Sequence, residues 1–180
     1  MGCLVAGLVL AGMLAGCSDA PQSSDAPQSV AATNVNESQS AEDIAKFEEV
    51  KKAAEQGDAD AQFNLGAAYD FGFWNLAKND AEAVKWYTLA AEQGEVHAQL
   101  ALGRMYAWGE GVAKDDAEAA KWYRLAAEQG EGNAQVSLGM MYAEGRGVAK
   151  NEAEAVKWLQ EAADQGTEHA EKALESLKKK

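Results

Sequence analysis

A ten-residue segment that recurs along the chain is the feature that most restricts the possible folds. The segment KWYRLAAEQG ends at Gly130, and the copies KWYTLAAEQG and KWLQEAADQG end at Gly94 and Gly166. A weaker copy, EVKKAAEQG, ends at Gly57, so successive copies lie 37, 36 and 36 residues apart. A constant period of this length is typical of solenoids, in which stacked repeats share one continuous core.

Each repeat predicts two helices. In repeat 95–130, Ala98, Leu102 and Tyr106 recur at i, i+4 and i+8, which marks one face of a first helix. The glycine after each such Leu costs about 1 kcal/mol relative to Ala, so we expect a neighbouring helix to approach it closely. A second helix begins at a capping box and ends at the glycine of AAEQG. Trp122 in this helix is expected to be a buried wedge between helices.

The predicted framework consists of the Leu, Gly and Tyr of each first helix and the Trp of each second helix. These residues are Leu65, Gly66, Tyr69, Trp86, Leu102, Gly103, Tyr106, Trp122, Leu138, Gly139, Tyr142 and Trp158. The loop between the helices carries two glycines in WGEGVAK and EGRGVAK. The first repeat has FGFWNLAK instead, and its Asn75 is expected to take the left-handed conformation that the lost glycine would supply.

The two ends of the array predict caps. Residues 41–57 form a single helix that is expected to bury Ile44, Phe47 and Val50. Three full repeats follow at 58–94, 95–130 and 131–166, and a charged last helix at 167–180 closes the array. A polar outer face on terminal helices is what a solenoid requires for solubility.

The consensus A-x-x-x-L-G-x-x-Y-x-x-G-x-G-V, then D/N-x-x-x-A-x-x-W-Y-x-x-A-A-x-Q-G, resembles the Sel-one-like repeat, a subfamily of tetratricopeptide-like repeats. This resemblance implies an all-α fold, a right-handed α/α superhelix (solenoid) of three full repeats with half-repeat caps at both ends. It also implies a non-catalytic adaptor or scaffold that binds a protein or peptide. The third repeat departs from the consensus with Leu159 in place of Tyr.

The N-terminus predicts a lipid anchor. The uncharged residues 1–16, MGCLVAGLVLAGMLAG, resemble the apolar region of a secretory signal, although no Lys or Arg precedes it. The tetrapeptide from Leu14 to Cys17 resembles the lipobox of bacterial lipoproteins, which implies cleavage before Cys17 and lipid attachment to its thiol. Ser18 then favours the outer membrane facing the periplasm, with the cell surface as an alternative. Residues 17–40, in which DAPQS occurs twice, are expected to form a disordered tether.

A second interpretation of the N-terminus is eukaryotic myristoylation with palmitoylation at Met-Gly-Cys. That motif requires Ser or Thr at position 6, where this chain has Ala6. The bacterial lipobox is therefore the favoured interpretation.

Composition excludes several functions. The net charge of −13 opposes nucleic-acid binding, which depends on Lys and Arg. No cysteine follows Cys17, so the predicted mature chain has neither a disulfide nor a cysteine nucleophile. His97 and His169 occupy the same repeat position two repeats apart, too far from each other to share a metal. The sequence carries no catalytic motif, and we expect no cofactor.

The residues that do not recur are candidates for function. Positions opposite the buried stripe of each first helix should line the concave face: Asp60, Asn64, Ala67, Phe71, His97, Ala101, Arg104, Trp108, Asn133, Ser137, Met140 and Glu144. Large aromatics and Arg are common interface anchors. We therefore predict a partner-binding ledge, the residues Asn64, Phe71, Trp74, Arg104, Trp108 and Met140.

Other interpretations remain open at this point. Phe71 and Trp108 could instead pack on a neighbouring loop. A protein that binds or hydrolyses peptidoglycan fragments is one alternative function, and a surface-exposed lipoprotein that binds a host factor is another.

Overall fold

The computed structural model describes residues 31–178, and these residues form eight α-helices and no strand. In chain order the helices are α1 (Ala31–Glu55), α2 (Ala59–Phe71), α3 (Asp80–Glu92), α4 (Val96–Trp108), α5 (Asp116–Glu128), α6 (Gly132–Glu144), α7 (Glu152–Asp164) and α8 (Ala170–Lys178). The pairs α2/α3, α4/α5 and α6/α7 pack most extensively, and each pair also packs on the next. The predicted all-α solenoid of three repeats is therefore confirmed.

The N-terminal cap is longer than predicted. Helix α1 begins at Ala31, inside the segment that we expected to be a tether. Phe47 and Val50 pack against the cluster around Leu65, but Ile44 is 58% exposed rather than buried. Because α1 has a neighbouring helix on one side only, its buried stripe is narrower than that of an internal helix. The predicted signal peptide and Cys17 lie outside the described residues.

Within residues 31–178, no helix combines the length and the apolar character that a membrane span needs.

The wedge between paired helices is the residue after the tryptophan. Tyr87 and Tyr123 are buried, whereas Trp86 and Trp122 are half-buried, so the predicted Trp wedge is wrong in these repeats. A Cβ on Gly103 would lie 2.5 Å from Cδ1 of Tyr123, which confirms the close approach expected at this glycine. The same contact joins the equivalent glycine and Tyr87 in the first repeat. In the third repeat, Leu159 and Trp158 are both buried.

The helix caps and the loops between helices have the conformations that the sequence predicts. The side chain of Asp115 accepts hydrogen bonds from the backbone N–H groups at the start of α5, as predicted. Gly111 has φ +68, and a Cβ there would lie 2.3 Å from the Asp80 carbonyl group, so this loop rests on the first turn of α3. Asn75 has φ 62, which confirms its predicted left-handed conformation.

Three buried glutamines join the layers, and sequence analysis did not predict them. Gln99 donates to the carbonyl oxygen of Ala91 on α3 at 3.1 Å and accepts from Gln129 after α5 at 2.8 Å. Gln62 and Gln135 make the equivalent pairs of bonds in the other two repeats. Each glutamine therefore connects the first helix of its repeat to both flanking second helices.

Candidate ligand groove

The first helices of the three repeats line one concave cavity of about 510 Å³, which we call the groove. Its lining is mainly apolar and aromatic, with a few polar groups. The lining residues are Phe63, Ala67, Asp70 and Phe71 from α2, Tyr87 from α3, His97, Leu100, Ala101, Arg104 and Trp108 from α4, Tyr123 from α5, and Asn133 and Ser137 from α6. Pockets of this size and character are the usual form of small ligand sites.

The structure brings part of the predicted ledge together. Phe71, Arg104 and Trp108 line the groove, whereas Asn64, Trp74 and Met140 do not. Trp74 instead packs on Phe47 of the N-terminal cap, with 6.4 Å between ring centroids. Its separate position follows from the loop, because residue 74 itself has a positive φ and turns towards α1 rather than along α2.

The two exposed aromatic residues differ in their surroundings. Phe71 is 61% exposed and lies 5.6 Å from the ring of Phe73 in the following loop, so the loop-packing alternative applies in part to Phe71. Trp108 is 72% exposed, and no ring or cation stacks on it within the described part of the chain. An indole left uncovered beside a cavity is available to a partner.

A charge cluster forms one side of the groove. Asp70 is 2% exposed, and one of its carboxylate oxygens contacts the Arg104 guanidinium of the next repeat. The same guanidinium is 3.0 Å from Glu110 in the loop after α4. It also lies 6.0 Å from the centroid of the Phe71 ring, within cation–π range. Arg104 is therefore engaged by groups of its own chain.

The tyrosine hydroxyls that reach the groove stay protonated. Tyr87 donates a hydrogen bond to Asp70 at 3.3 Å. Burial, and then the negative charge of Asp70, raise the pKa of Tyr87 above its ordinary value of 10.0. Burial likewise raises the pKa of Tyr123. Both hydroxyls therefore act as neutral hydrogen-bonding groups at physiological pH.

Sequence analysis missed two kinds of groove residue. Asp70 stands where the later repeats have Ala107 and Ala143, so its failure to recur was a signal that could have identified it. Phe63 and Leu100 lie one position before the predicted concave positions, and Phe63 contacts the Tyr87 ring at 5.7 Å. The groove therefore includes side chains beside the single row of positions that the helical spacing predicted.

The groove offers binding surface more than reactive groups. Its buried carboxylate is already paired with Arg104, so it is not a free general base. No group of three or more potential metal ligands occurs among residues 31–178. His97 lines the groove, whereas His169 lies in a separate pocket beside α8.

The fold and the groove together define a class, the α/α solenoids that present a concave binding surface. The model of the Sel1 repeat matches residues 59–95, 96–131 and 132–167. The chain belongs to the Sel1 repeat family. Proteins of this family generally act as scaffolds for protein interactions and are typically non-catalytic.

Solved structures of other Sel1-type proteins are similar. A Sel1 repeat protein from Oxalobacter formigenes is 44% identical over 73% of this chain and 98% of its own, with a TM-score of 0.67. The protective antigen c5321 of uropathogenic Escherichia coli is 46% identical over 67% of this chain, with a TM-score of 0.64. Helicobacter pylori cysteine-rich protein B is 27% identical over 69% of this chain and 93% of its own, with a TM-score of 0.52.

The chain covers only 26% of the length of c5321. A search of curated proteins found no match.

Proposed function

We propose that this chain is a membrane-anchored lipoprotein that binds a protein or peptide in the groove of its Sel1 repeats. The observation that carries the proposal is the groove itself. Three repeats contribute to it, and Trp108 stands exposed at its edge. Tryptophan is among the residues that most often form interaction hot spots once a partner covers them.

The anchor is supported by the N-terminal sequence. An apolar segment ends at the lipobox-like tetrapeptide before Cys17. Attachment of two or more acyl chains would hold the chain stably on a bilayer, whereas a single chain would give marginal binding. We place the chain at the outer membrane, facing the periplasm.

Site-specific photocrosslinking in native membranes tests partner binding. A benzophenone amino acid at position 108 should capture a discrete partner that mass spectrometry identifies. The same group at position 125, where Leu125 is exposed on α5 outside the groove, is the matched control. Equal capture at both positions would contradict a specific groove.

Metabolic labelling tests the anchor. The wild-type chain should incorporate a labelled fatty acid and sediment with membranes, because the Cys17 thiol accepts the lipid. Cys17→Ser should lose the label. Retained label in that variant would refute attachment at this residue.

A second location is favoured by one comparison. The protein c5321, which is 46% identical over the shared region, is a protective antigen of uropathogenic Escherichia coli. An antigen is accessible to the host, so the cell surface and a host partner form the alternative to a periplasmic partner. Protease digestion of intact cells separates the two locations, since only a surface-exposed chain is degraded without permeabilisation.

A further inference from the structure

We propose that the groove selects a segment in which a Lys or Arg lies beside large apolar side chains. This inference rests on the proposed function and names the chemistry of the partner. It departs from the simple expectation that an arginine on a concave face binds an acidic partner. The proposed selectivity has an apolar part and an electrostatic part.

The apolar part comes from the groove floor. Phe63, Leu100 and the Tyr87 ring surround a volume of about 510 Å³, enough to admit large side chains. Phe63 also contacts His97, with 5.8 Å between ring centroids, which extends the aromatic surface towards the groove edge. Removal of apolar side chains from water at such a surface favours binding.

The electrostatic part follows from the pairing of the cations around the groove. Arg104 contacts both Asp70 and Glu110, so these three groups together carry one net negative charge. Arg146, whose charge also acts on the groove tyrosine Tyr123, is paired with Glu144 at 3.1 Å. An incoming carboxylate would meet cations that are already neutralised, whereas an incoming cation would meet a carboxylate excess.

Lys78 is a further cation near this cluster. Its charge interacts with Asp70 and Glu110, but its ammonium group is 2.9 Å from Asp80. The charge of −13 on the whole chain adds to the local excess of carboxylates. The local carboxylate excess and the net charge of the chain both attract a basic segment, and this attraction should weaken as the salt concentration rises.

Trp108 supplies the contact for the incoming cation. Its indole is exposed at the groove edge, and tryptophan is the aromatic ring that binds cations best. The Phe71 ring already faces Arg104. The geometry therefore assigns the cationic side chain to Trp108 and the adjacent apolar side chains to the groove floor.

Three fluorescent peptides of equal length test this selectivity with the full chain in a mild detergent. All have a Gly/Ser background and blocked ends, and they differ only in a central Leu-Arg-Leu, Leu-Glu-Leu or Ser-Arg-Ser. Fluorescence anisotropy should show the Leu-Arg-Leu peptide binding about tenfold more tightly than either of the others. Detergent without protein is the blank for each peptide.

Three variants test where the peptide binds and which charge it recognises. Trp108→Ala should weaken binding of the Leu-Arg-Leu peptide about tenfold, whereas Leu125→Ala, which truncates another exposed apolar side chain outside the groove, should leave it unchanged. Glu110→Gln should reduce the preference for Arg over Glu, because it removes the excess negative charge. Circular dichroism melting curves establish that each variant is folded.

The possible failures are distinguishable. If the Leu-Glu-Leu peptide binds as well or better and still depends on Trp108, the charge selectivity is wrong and the proposed groove function stands. If Ser-Arg-Ser equals Leu-Arg-Leu, the apolar part is wrong. If Trp108→Ala changes no binding, or no peptide binds, both the selectivity and the peptide groove are refuted.

Discussion

Removal of the Arg104 side chain tests the energetic link between the first two repeats. In Arg104→Ala, the Asp70 carboxylate, which is 2% exposed in the wild-type chain, retains only the Tyr87 hydroxyl as a side-chain partner. Breaking a buried ion pair by removing one member costs about 3–5 kcal/mol. Because Arg104 is 36% exposed and the groove is open to water, we expect a cost below this scale, about 2–3 kcal/mol.

The chain provides its own control for this prediction. The later repeats have alanine where the first has Asp70, so the fold accepts Ala at that position. The double variant Asp70→Ala/Arg104→Ala should therefore recover most of the lost free energy of unfolding. This recovery corresponds to a coupling of about 2–3 kcal/mol between the two sites, within the range for groups in direct contact.

Urea unfolding followed by far-UV circular dichroism measures these differences. A loss of about 2–3 kcal/mol should lower Tm by roughly 5–10 °C in a domain of this size. If Arg104→Ala lowers the free energy of unfolding by less than about 0.5 kcal/mol, the range of an ordinary surface substitution, the ion pair does not stabilise the fold. A double variant that is less stable than Arg104→Ala alone would contradict the ion pair equally.

Three further substitutions probe the core and its protonation, all by urea unfolding. Gly103→Ala places a Cβ 2.5 Å from Cδ1 of Tyr123. The resulting overpacking should cost about 1–3 kcal/mol, which outweighs the better helix propensity of Ala. A stabilised variant would contradict this prediction. Gln99→Leu removes the two bonds that join the layers, while the Ala91 carbonyl keeps its bond from the Gly94 N–H and the Gln129 amide keeps its bond to the Gly94 carbonyl. The loss of two bonds should cost about 1–2 kcal/mol, and an unchanged midpoint would refute the bridging role. Folded Tyr87 keeps its proton above its unfolded pKa of 10.0, so its contribution to stability is present below pH 10 and lost as pH rises further. Tyr87→Phe should flatten this alkaline loss, and an identical pH profile would contradict the assignment.

Local signals in the sequence predicted most of the fold. The fixed period is visible in the sequence itself. Capping residues such as Asp115 and the glycines at helix ends act on groups within a few residues, so the sequence predicts their positions directly. Asn75 is an example, because its left-handed conformation follows from the loop glycine that it replaces. Most of the predicted concave positions also line the groove, since one helical period places them on a common face.

Helical periodicity alone did not predict which residue forms the wedge between paired helices. Trp122 and Tyr123 are adjacent, about 100° apart around α5, and both lie near the edge of its apolar stripe. The gap opposite Gly103 admits the Tyr123 ring, which leaves Trp122 half-buried at the side of the cluster around Leu102. Whether Trp122 or Tyr123 is buried therefore depends on the helix that packs against α5 and not on α5 itself.

The sequence by itself determined the repeat, the helices and the face of each first helix that could bind a partner, because these follow from contacts within about one helical turn or one loop. Only the tertiary structure paired Asp70 with Arg104, 34 residues away in the next repeat. The stacking of one repeat on the next buried the carboxylate, neutralised the arginine and left the Trp108 side chain exposed at the groove. Contacts between repeats thus decide the charge of the groove, since no single repeat contains both partners.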